Sequence, residues 1–199
     1  RPRACGGPGN RRLGFRPGGG VTGRIFAVVG PSGAGKDTLM AAARARRPSL
    51  HLVRRVITRP EAAGGEPFEG VTEAEFARRV AAGAFALHWD AHGLRYGIPA
   101  DALDTRADVL FNASRSALAE AARVFPGLVV LNVTATPEVL AQRLAARGRE
   151  TPAQIAARLA RADRPLPPGL RVIEIDNSGR IEEATDALLA ALDNEREEV

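Results

Sequence analysis

Cysteine and lysine are nearly missing from this sequence of 199 residues, which has one of each against 27 arginines. The lone cysteine, Cys5, excludes an internal disulfide and a metal site built from several thiolates. No apolar run approaches the roughly 20 residues that a membrane-spanning helix needs. The N-terminal residues also lack the apolar core of a secretory signal. We therefore expect a cytoplasmic protein without a membrane partner.

Acidic residues are absent from residues 1–23, which carry five arginines and are otherwise rich in glycine. A segment with so little apolar surface cannot offset the entropy of ordering, so we predict a disordered tail. The rest of the chain carries 23 basic and 23 acidic side chains. Because this part has no net charge, we expect no nucleic-acid partner for it. Its size and apolar content predict a single folded domain over residues 24–195.

Short apolar runs, typical of buried parallel strands, alternate with helix-like segments along this domain. The predicted strands are Ile25–Gly30, His51–Ile57, Phe85–Trp89, Leu94–Tyr96, Asp108–Asn112, Leu128–Val133 and Leu170–Ile175. The predicted helices are Lys36–Arg46, Glu73–Ala82, Ser114–Val124, Pro137–Arg147, Thr151–Ala162 and Ile181–Leu192, and Pro60–Gly70 is predicted to be a loop. The alternation predicts an α/β fold in which helices flank both faces of a parallel sheet.

The most informative motif lies between the first predicted strand and the first predicted helix. It reads Gly30-Pro31-Ser32-Gly33-Ala34-Gly35-Lys36-Asp37-Thr38, and we refer to it as the phosphate loop. Small residues let the main chain wrap a phosphate group, so that successive N–H groups point at its oxygens. Lys36, the sole lysine, then reaches the β- and γ-phosphates as a compact ammonium. The motif predicts an ATP site; the alternative is a glycine-rich turn that only caps a helix.

The residue after Lys36 departs from the usual form of this motif. A Ser or Thr at that position ligates Mg²⁺, whereas this chain has Asp37 followed by Thr38. The strand that usually ends in a metal-supporting Asp ends here in Asn112. We infer that the carboxylate has moved from the strand to the loop, which makes Asp37 and Thr38 the candidate Mg²⁺ ligands. The alternative is that Asp37 only stabilises the start of the helix through the helix dipole.

The order of motifs between residues 24 and 192 resembles the guanylate-kinase-like branch of P-loop kinases. The motifs are the phosphate loop, Ile57-Thr58-Arg59, Gly93-Leu94-Arg95-Tyr96-Gly97, the strand Asp108–Asn112, an arginine-rich segment from Arg143 to Arg158, and Asp176-Asn177. The resemblance implies a P-loop NTPase fold with a small acceptor-binding subdomain, at about residues 55–97, and a helical lid, at about residues 142–165.

The same resemblance implies roles for the arginines of the lid. Arg143, Arg147 and Arg158 would close over the transferring phosphoryl group, and Asn177 would lie beside the adenine of ATP. The alternative for each arginine is a solvated surface charge.

At the positions that recognise guanine in guanylate kinases, this chain has different side chains. Leu87, Phe68 and Ser114 stand where the family has two carboxylates and a tyrosine. Each unpaired donor of a bound guanine would cost about 1–3 kcal/mol. We therefore expect GMP to be rejected.

Arginines stand near the positions where the guanine-reading groups are lost, and paired arginines bind phosphate. The candidate acceptor-binding residues are Arg55, Thr58, Arg59, Tyr96, Ser114 and Arg115, with Arg95 as a further candidate. Together with the loop end Gly35-Lys36-Asp37-Thr38 and the segment Leu87–Gly97, this set resembles the ribose 1,5-bisphosphate phosphokinases, which make 5-phosphoribosyl 1-diphosphate with ATP during phosphonate degradation. The resemblance implies a phosphorylated sugar as the small-molecule partner, with Thr58, Arg59 and Tyr96 at its 5-phosphate.

Two other functions stay open on the sequence. One is an ordinary guanylate or nucleoside-monophosphate kinase, against which the lost guanine contacts argue. The other is a guanylate-kinase-like module that binds partners without catalysis, against which the loop with Lys36 argues. A homodimer is compatible with the sequence.

Overall fold

The computed structural model describes residues 23–61, 67–103, 106–148, 150–160 and 165–197. The predicted tail lies outside these ranges except for Gly23, as does the end of the helix predicted over Thr151–Ala162. The strands are β1 (Ile25–Val29), β2 (His51–Leu52), β3 (Arg55–Ile57), β4 (Phe68–Gly70), β5 (Phe85–Ala91), β6 (Leu94–Pro99), β7 (Val109–Asn112), β8 (Val129–Thr134) and β9 (Arg171–Asp176). The helices are α1 (Lys36–Arg46), α2 (Glu73–Ala81), α3 (Leu118–Val124), α4 (Pro137–Ala146), α5 (Pro152–Leu159) and α6 (Ile181–Glu197).

Five strands form an all-parallel sheet in the order β2-β7-β1-β8-β9. The central strands are apolar runs buried on both sides, as in β1, where residues 26–29 have no exposed surface. One face packs against α1 and α6 through Leu39 and Leu188, and the other against α3 through Leu118. Strands covered on both faces require such runs, so the predicted α/β fold with a helix-flanked parallel sheet is confirmed.

A second, smaller sheet has four strands in the order β4-β3-β6-β5. It is mixed: β3 runs parallel to β4 and antiparallel to β6, which is antiparallel to β5. Helix α2 packs on it through Phe76, whose ring stacks on Phe85 with centroids 4.8 Å apart. Leu87 and Trp89 of β5 share a core with Phe111 of β7, so the two sheets pack against each other.

The structure corrects three of the predicted elements. His51–Ile57 is two strands rather than one, because β2 pairs with β7 while β3 joins the smaller sheet. The loop predicted over Pro60–Gly70 contains β4, although residues 62–66 lie outside the described ranges. The helix predicted from Ser114 begins with a 3₁₀ turn at Arg115–Ala117. Strand pairing depends on partners remote in sequence, which local composition does not identify.

Helices α4 and α5 both begin with a threonine cap and a proline in the first turn. At α5, Thr151 Oγ1 accepts from Gln154 N at 3.3 Å, and Gln154 Oε1 accepts from Thr151 N at 2.8 Å. This reciprocal cap fixes the start of a helix that buries none of its side chains fully. In the described ranges, every helix is too short or too polar to cross a lipid bilayer.

Candidate active site

The phosphate loop follows a path that two glycines make possible. Gly30 has φ +145°, and a Cβ there would lie 2.0 Å from the carbonyl oxygen of Val133. Gly35 has φ +84°, and a Cβ there would lie 2.6 Å from Nδ2 of Asn177. Residues with side chains adopt such φ values at a cost and would clash here. The turn from β1 into α1 therefore depends on both glycines.

Lys36 is the first residue of α1, at the point where the positive end of the helix dipole lies. Its Nζ donates to the carbonyl oxygens of Gly30, at 3.0 Å, and Pro31, at 3.1 Å. These contacts hold the ammonium across the loop. Together, the loop's backbone, the helix N-terminus and the ammonium form an anion-binding arrangement.

Asp37 and Asn112, the two positions at which the motif departs from its usual form, are in direct contact. Asn112 Nδ2 donates to Asp37 Oδ1 at 2.7 Å. Asn112 ends β7 and is 8% exposed, whereas Asp37 and the neighbouring Thr38 are exposed. The structure thus brings together the carboxylate and the strand position that the sequence linked only by hypothesis.

Asn177 and Arg143 hold the far side of the phosphate loop. Asn177, in the turn between β9 and α6, is 2% exposed, and its Nδ2 donates to the Ala34 carbonyl at 2.7 Å. Arg143 of α4 donates through Nη2 to the Asn177 carbonyl at 2.8 Å and through Nη1 to the Ala34 carbonyl at 3.5 Å. These bonds connect three separate elements around Ala34.

The two remaining lid arginines differ in where they lie. Arg158 of α5 donates from Nη1 to Ser32 Oγ of the loop at 2.7 Å, and its Nη2 lies 3.3 Å from Glu150 Oε1. Arg147, the residue after α4, is exposed, and no side-chain contact joins it to the described part of the loop. The structure therefore places Arg143 and Arg158 at the loop and Arg147 away from it.

Arg55 lies at the junction of the two sheets. It is 7% exposed, and its Nη1 donates to the carbonyl oxygen of Asn112 at 3.0 Å. Its guanidinium carbon lies 5.2 Å from the centre of the Tyr96 ring, which stacks on Trp89 with centroids 5.4 Å apart. A cation over an aromatic face is stabilised by the ring quadrupole, so this stack holds the guanidinium beside β7.

The other acceptor candidates each make a local contact of their own. Thr58 Oγ1 accepts from the backbone N of Arg95 at 2.9 Å. The guanidinium of Arg59 lies 4.3 Å from the centre of the Phe68 ring. Ser114 Oγ forms a 2.8 Å hydrogen bond with Ser116 Oγ.

Arg95 lies elsewhere than the acceptor hypothesis implies, whereas Arg115 borders a cavity beside the phosphate loop. Arg95 lies 3.5 Å from Asp90 and packs 4.6 Å from the Phe76 ring. Side chains alternate along β6, so Arg95 faces away from Tyr96 and is not placed with Arg55. Arg115 instead lines a cavity of about 610 Å³ whose wall includes Pro31 of the loop.

The strongest electrostatic shifts lie away from the loop, where α2 meets β4. Hydrogen bonds from Arg78 and Arg79 lower the pKa of Glu75 to about 2. A hydrogen bond from Arg79 also lowers the pKa of Glu69. These ion pairs stabilise the solvent-facing side of the smaller sheet.

Three contacts of the site were missed by sequence reasoning. They are the Asn112–Asp37 hydrogen bond, the Glu150–Arg158 ion pair and the stack of Trp89, Tyr96 and Arg55. The sequence offered one indication of the stack, because Trp89 and Tyr96 are the chain's only tryptophan and only tyrosine. The other two join residues whose pairing depends on the fold.

The fold is shared with known P-loop kinases. A guanylate kinase from Anaplasma phagocytophilum superposes with a TM-score of 0.62 at 20% identity, covering 88% of this chain and 87% of that one. A gluconokinase from Sinorhizobium meliloti 1021 gives 0.53 at 20% identity, covering 89% and 95%. With the geometry of the phosphate loop, this likeness defines a P-loop protein of the guanylate-kinase-like fold.

Similar sequences identify the family. The ribose 1,5-bisphosphate phosphokinase PhnN of Ruegeria sp. (strain TM1040) is 52% identical over 178 residues, covering 87% of this chain and 94% of that protein. That of Rhizobium etli (strain CIAT 652) is 52% identical over 184 residues, covering 89% and 93%. A bifunctional ribose 1,5-bisphosphokinase-thymidine phosphorylase of Cupriavidus necator is 50% identical over 176 residues, which are 29% of its length. No family model matches the chain. The chain belongs to the family of ribose 1,5-bisphosphate phosphokinases.

Proposed function

We propose that this kinase transfers the γ-phosphoryl group of ATP to the 1-phosphate of ribose 1,5-bisphosphate, giving 5-phosphoribosyl 1-diphosphate and ADP. The observation that carries the proposal is the position of Arg55. Its buried guanidinium contacts Asn112, whose side chain contacts Asp37 of the phosphate loop. An anion site therefore adjoins the nucleotide site, as transfer between two phosphates requires. The names of the relatives support the choice of sugar.

The reaction requires positioning and charge neutralisation rather than a covalent enzyme intermediate. An oxygen of the acceptor's 1-phosphate attacks the γ-phosphorus while the bond from that phosphorus to the β–γ bridging oxygen breaks. The attacking oxygen is already ionised, so no general base is needed. Lys36 and the N–H groups of the loop stabilise the charge on the transferring group. Arg158, already in contact with Ser32, does so from the lid.

The other lid residues support this arrangement in different ways. Arg143 holds the loop against the β9–α6 turn, and Asn177, in that turn, would lie beside the adenine of ATP. Arg147 acts when the lid closes, since it is exposed in this conformation. Closure of a lid excludes water from a phosphoryl group that would otherwise hydrolyse.

The loop fits a bound Mg²⁺ that is shared with the nucleotide. The described residues contain no cluster of three or more His, Cys, Asp or Glu that could hold a metal by itself. Mg²⁺ at kinase sites takes most ligands from phosphates and water, with one or two from the protein. Asp37 and Thr38, both exposed at the start of α1, would be those two. The ion would neutralise charge on the β- and γ-phosphates when bound.

The candidate acceptor-binding residues form two groups, one for each phosphate of the sugar. Arg55, Ser114 and Arg115 lie at or next to Asn112 and would bind the 1-phosphate. Thr58, Arg59 and Tyr96 would bind the 5-phosphate. In this division the acceptor-binding region is about residues 55–97, the lid is about residues 142–165, and both belong to one domain over residues 24–195. The enzyme would act in the cytoplasm, in phosphonate catabolism.

Two of the positions that would recognise guanine carry side chains without a hydrogen-bond acceptor. Leu87 is 2% exposed and Phe68 is 4% exposed, and both are packed as core residues. Neither side chain accepts a hydrogen bond, so GMP would leave donors unpaired. This geometry favours the sugar bisphosphate over the nucleoside-monophosphate alternative.

The test is a parallel assay of purified protein with ATP and Mg²⁺, offered ribose 1,5-bisphosphate or GMP. ADP release is followed by a coupled assay, and the product by ³¹P NMR. We expect turnover of the sugar alone, with new resonances of a diphosphate. Turnover of GMP alone would identify a nucleoside-monophosphate kinase. Turnover of neither by a folded protein would favour a binding module.

A further inference from the structure

Asn112 is fixed in place by main-chain pairing with β1, the strand that leads into the phosphate loop. It lies opposite Val28 in the β1–β7 register, and the following N–H, of Ala113, donates to the Val28 carbonyl at 2.9 Å. The side chain is almost fully buried. Asn112 is therefore a rigid point beside the strand that leads into the loop.

The side chain of Asn112 restricts the first exposed carboxylate of α1. Its Nδ2 donates to Asp37 Oδ1 at 2.7 Å, a short hydrogen bond to a charged acceptor. An exposed aspartate otherwise samples several staggered rotamers. The bond selects the one that turns the carboxylate back toward β7, across the loop.

The main-chain carbonyl of Asn112 faces a different group. It accepts from Nη1 of Arg55 at 3.0 Å. One residue thus contacts both the carboxylate on the nucleotide side and the guanidinium on the acceptor side.

We propose that Asn112 is a positioning residue, whose amide orients Asp37 toward the metal of the bound nucleotide and whose carbonyl aligns Arg55 with it. This inference rests on the proposed function for its acceptor half only. Groups that orient a metal ligand typically change metal affinity or activity by about 10- to 100-fold when lost. If Asp37 only stabilised the start of α1 through the helix dipole, removing the Asn112 amide would change the stability of the protein and leave its affinity for the metal unchanged.

The hydrogen bond offers an isosteric exchange as a test. In the double variant Asp37→Asn with Asn112→Asp, the side chain at position 37 becomes the hydrogen-bond donor and the one at position 112 the acceptor. The negative charge then lies at position 112. The single variant Asp37→Asn removes the carboxylate, and Asn112→Asp opposes two carboxylates. Asn112→Leu keeps the shape and removes the donor. Asn132→Leu is the matched control: Asn132 lies in β8, on the other side of β1, at 9% exposure and donates to Glu174 instead.

The measurement is the affinity of Mn²⁺ for the protein with a non-hydrolysable ATP analogue, by electron paramagnetic resonance, with no acceptor present. Folding is monitored by circular dichroism. We expect each Asp37 or Asn112 single variant to weaken Mn²⁺ binding by roughly 10-fold or more. The exchange variant, which restores the hydrogen bond but moves the charge, should lose clearly less Mn²⁺ affinity than the two single variants combined, and Asn132→Leu should match the parent.

The inference would be overturned if the exchange variant lost as much Mn²⁺ affinity as the two single variants combined. A folded Asn112→Leu variant with the Mn²⁺ affinity of the parent would also overturn it. Should Asn112→Asp fail to fold, Asn112→Leu and Asp37→Asn decide the matter. Because Mn²⁺ binding needs no acceptor, these results are independent of whether ribose 1,5-bisphosphate is turned over.

Discussion

The phosphate loop and the smaller sheet differ in where their binding groups come from. The loop takes its groups from nine consecutive residues, Gly30 to Thr38, whose path two glycines set. The acceptor side takes its groups from β3, β6 and the segment after β7, which are separated by tens of residues. The loop is held by hydrogen bonds to main-chain carbonyls. The arginines of the smaller sheet lie over aromatic rings.

This difference explains how proteins of one fold can share phosphate-binding chemistry and still differ in substrate. A loop made by local main-chain geometry binds phosphate whatever lies opposite. Side chains on a sheet can be replaced one at a time, because each contributes its own contact. In this chain Leu87 and Phe68 are core residues, while Arg55 and Arg59 carry charge beside aromatic rings. The following predictions separate the two regions.

The largest effect is expected from Lys36→Ala, which removes the ammonium from the loop. The loss in kcat should be about 10²- to 10³-fold, the usual effect of removing one transition-state donor. Lys36→Arg should not restore the rate, because a planar guanidinium does not fit the site of a compact ammonium. The assay is ADP release at saturating substrates. A parental rate in Lys36→Ala would remove the basis of the proposed chemistry.

Arg158→Met should lower kcat by about 10²-fold, because in the proposed mechanism its guanidinium stabilises the transferring group. Ser32→Ala removes only the hydroxyl that Arg158 contacts, and a neutral hydrogen bond contributes about 0.5–1.5 kcal/mol, so its effect should stay below roughly 15-fold. Steady-state kinetics on both variants gives the ratio. Equal losses would mean that Arg158 acts only through Ser32.

Arg55→Met should raise the KM of the acceptor by roughly 10- to 150-fold and leave the KM of ATP within about twofold. A hydrogen bond of a charged group contributes about 1.5–3 kcal/mol. The matched control is Arg54→Met, an exposed neighbour whose guanidinium pairs with Glu61. A rise in the KM of ATP equal to that of the acceptor would contradict the division between the two regions.

The smallest effect is expected from Glu75→Gln in the smaller sheet. Arg78 and Arg79 lower the pKa of Glu75 to about 2, below its value in an unfolded chain. The charged carboxylate therefore stabilises the fold above about pH 4.5, and this contribution is lost as the pH falls toward 2. The urea midpoints of parent and variant should differ slightly at pH 7 and converge as the pH falls toward 2. A difference that grows on acidification would show the opposite sign.

Sequence reasoning reached further in the loop than in the acceptor region. The bounds Lys36–Arg46 of α1 are those observed, because a contiguous motif and helix-forming residues determine them locally. The split of His51–Ile57 and the strand β4 were not predictable, since each depends on pairing with a distant strand. For the same reason Arg95, grouped with Arg55 by sequence, faces the other side of the sheet. The roles of the site residues stay predictions.

By itself, the sequence determined the phosphate loop, the alternation of strands and helices, and the loss of guanine-reading side chains. Each of these is a property of residue type and short-range order. Only the tertiary structure decided that Asn112 contacts Asp37, that Arg55 is buried beside them, and that Arg115 lines a cavity bordered by the phosphate loop. Contacts between residues 57 to 75 positions apart exist only once the sheets have packed.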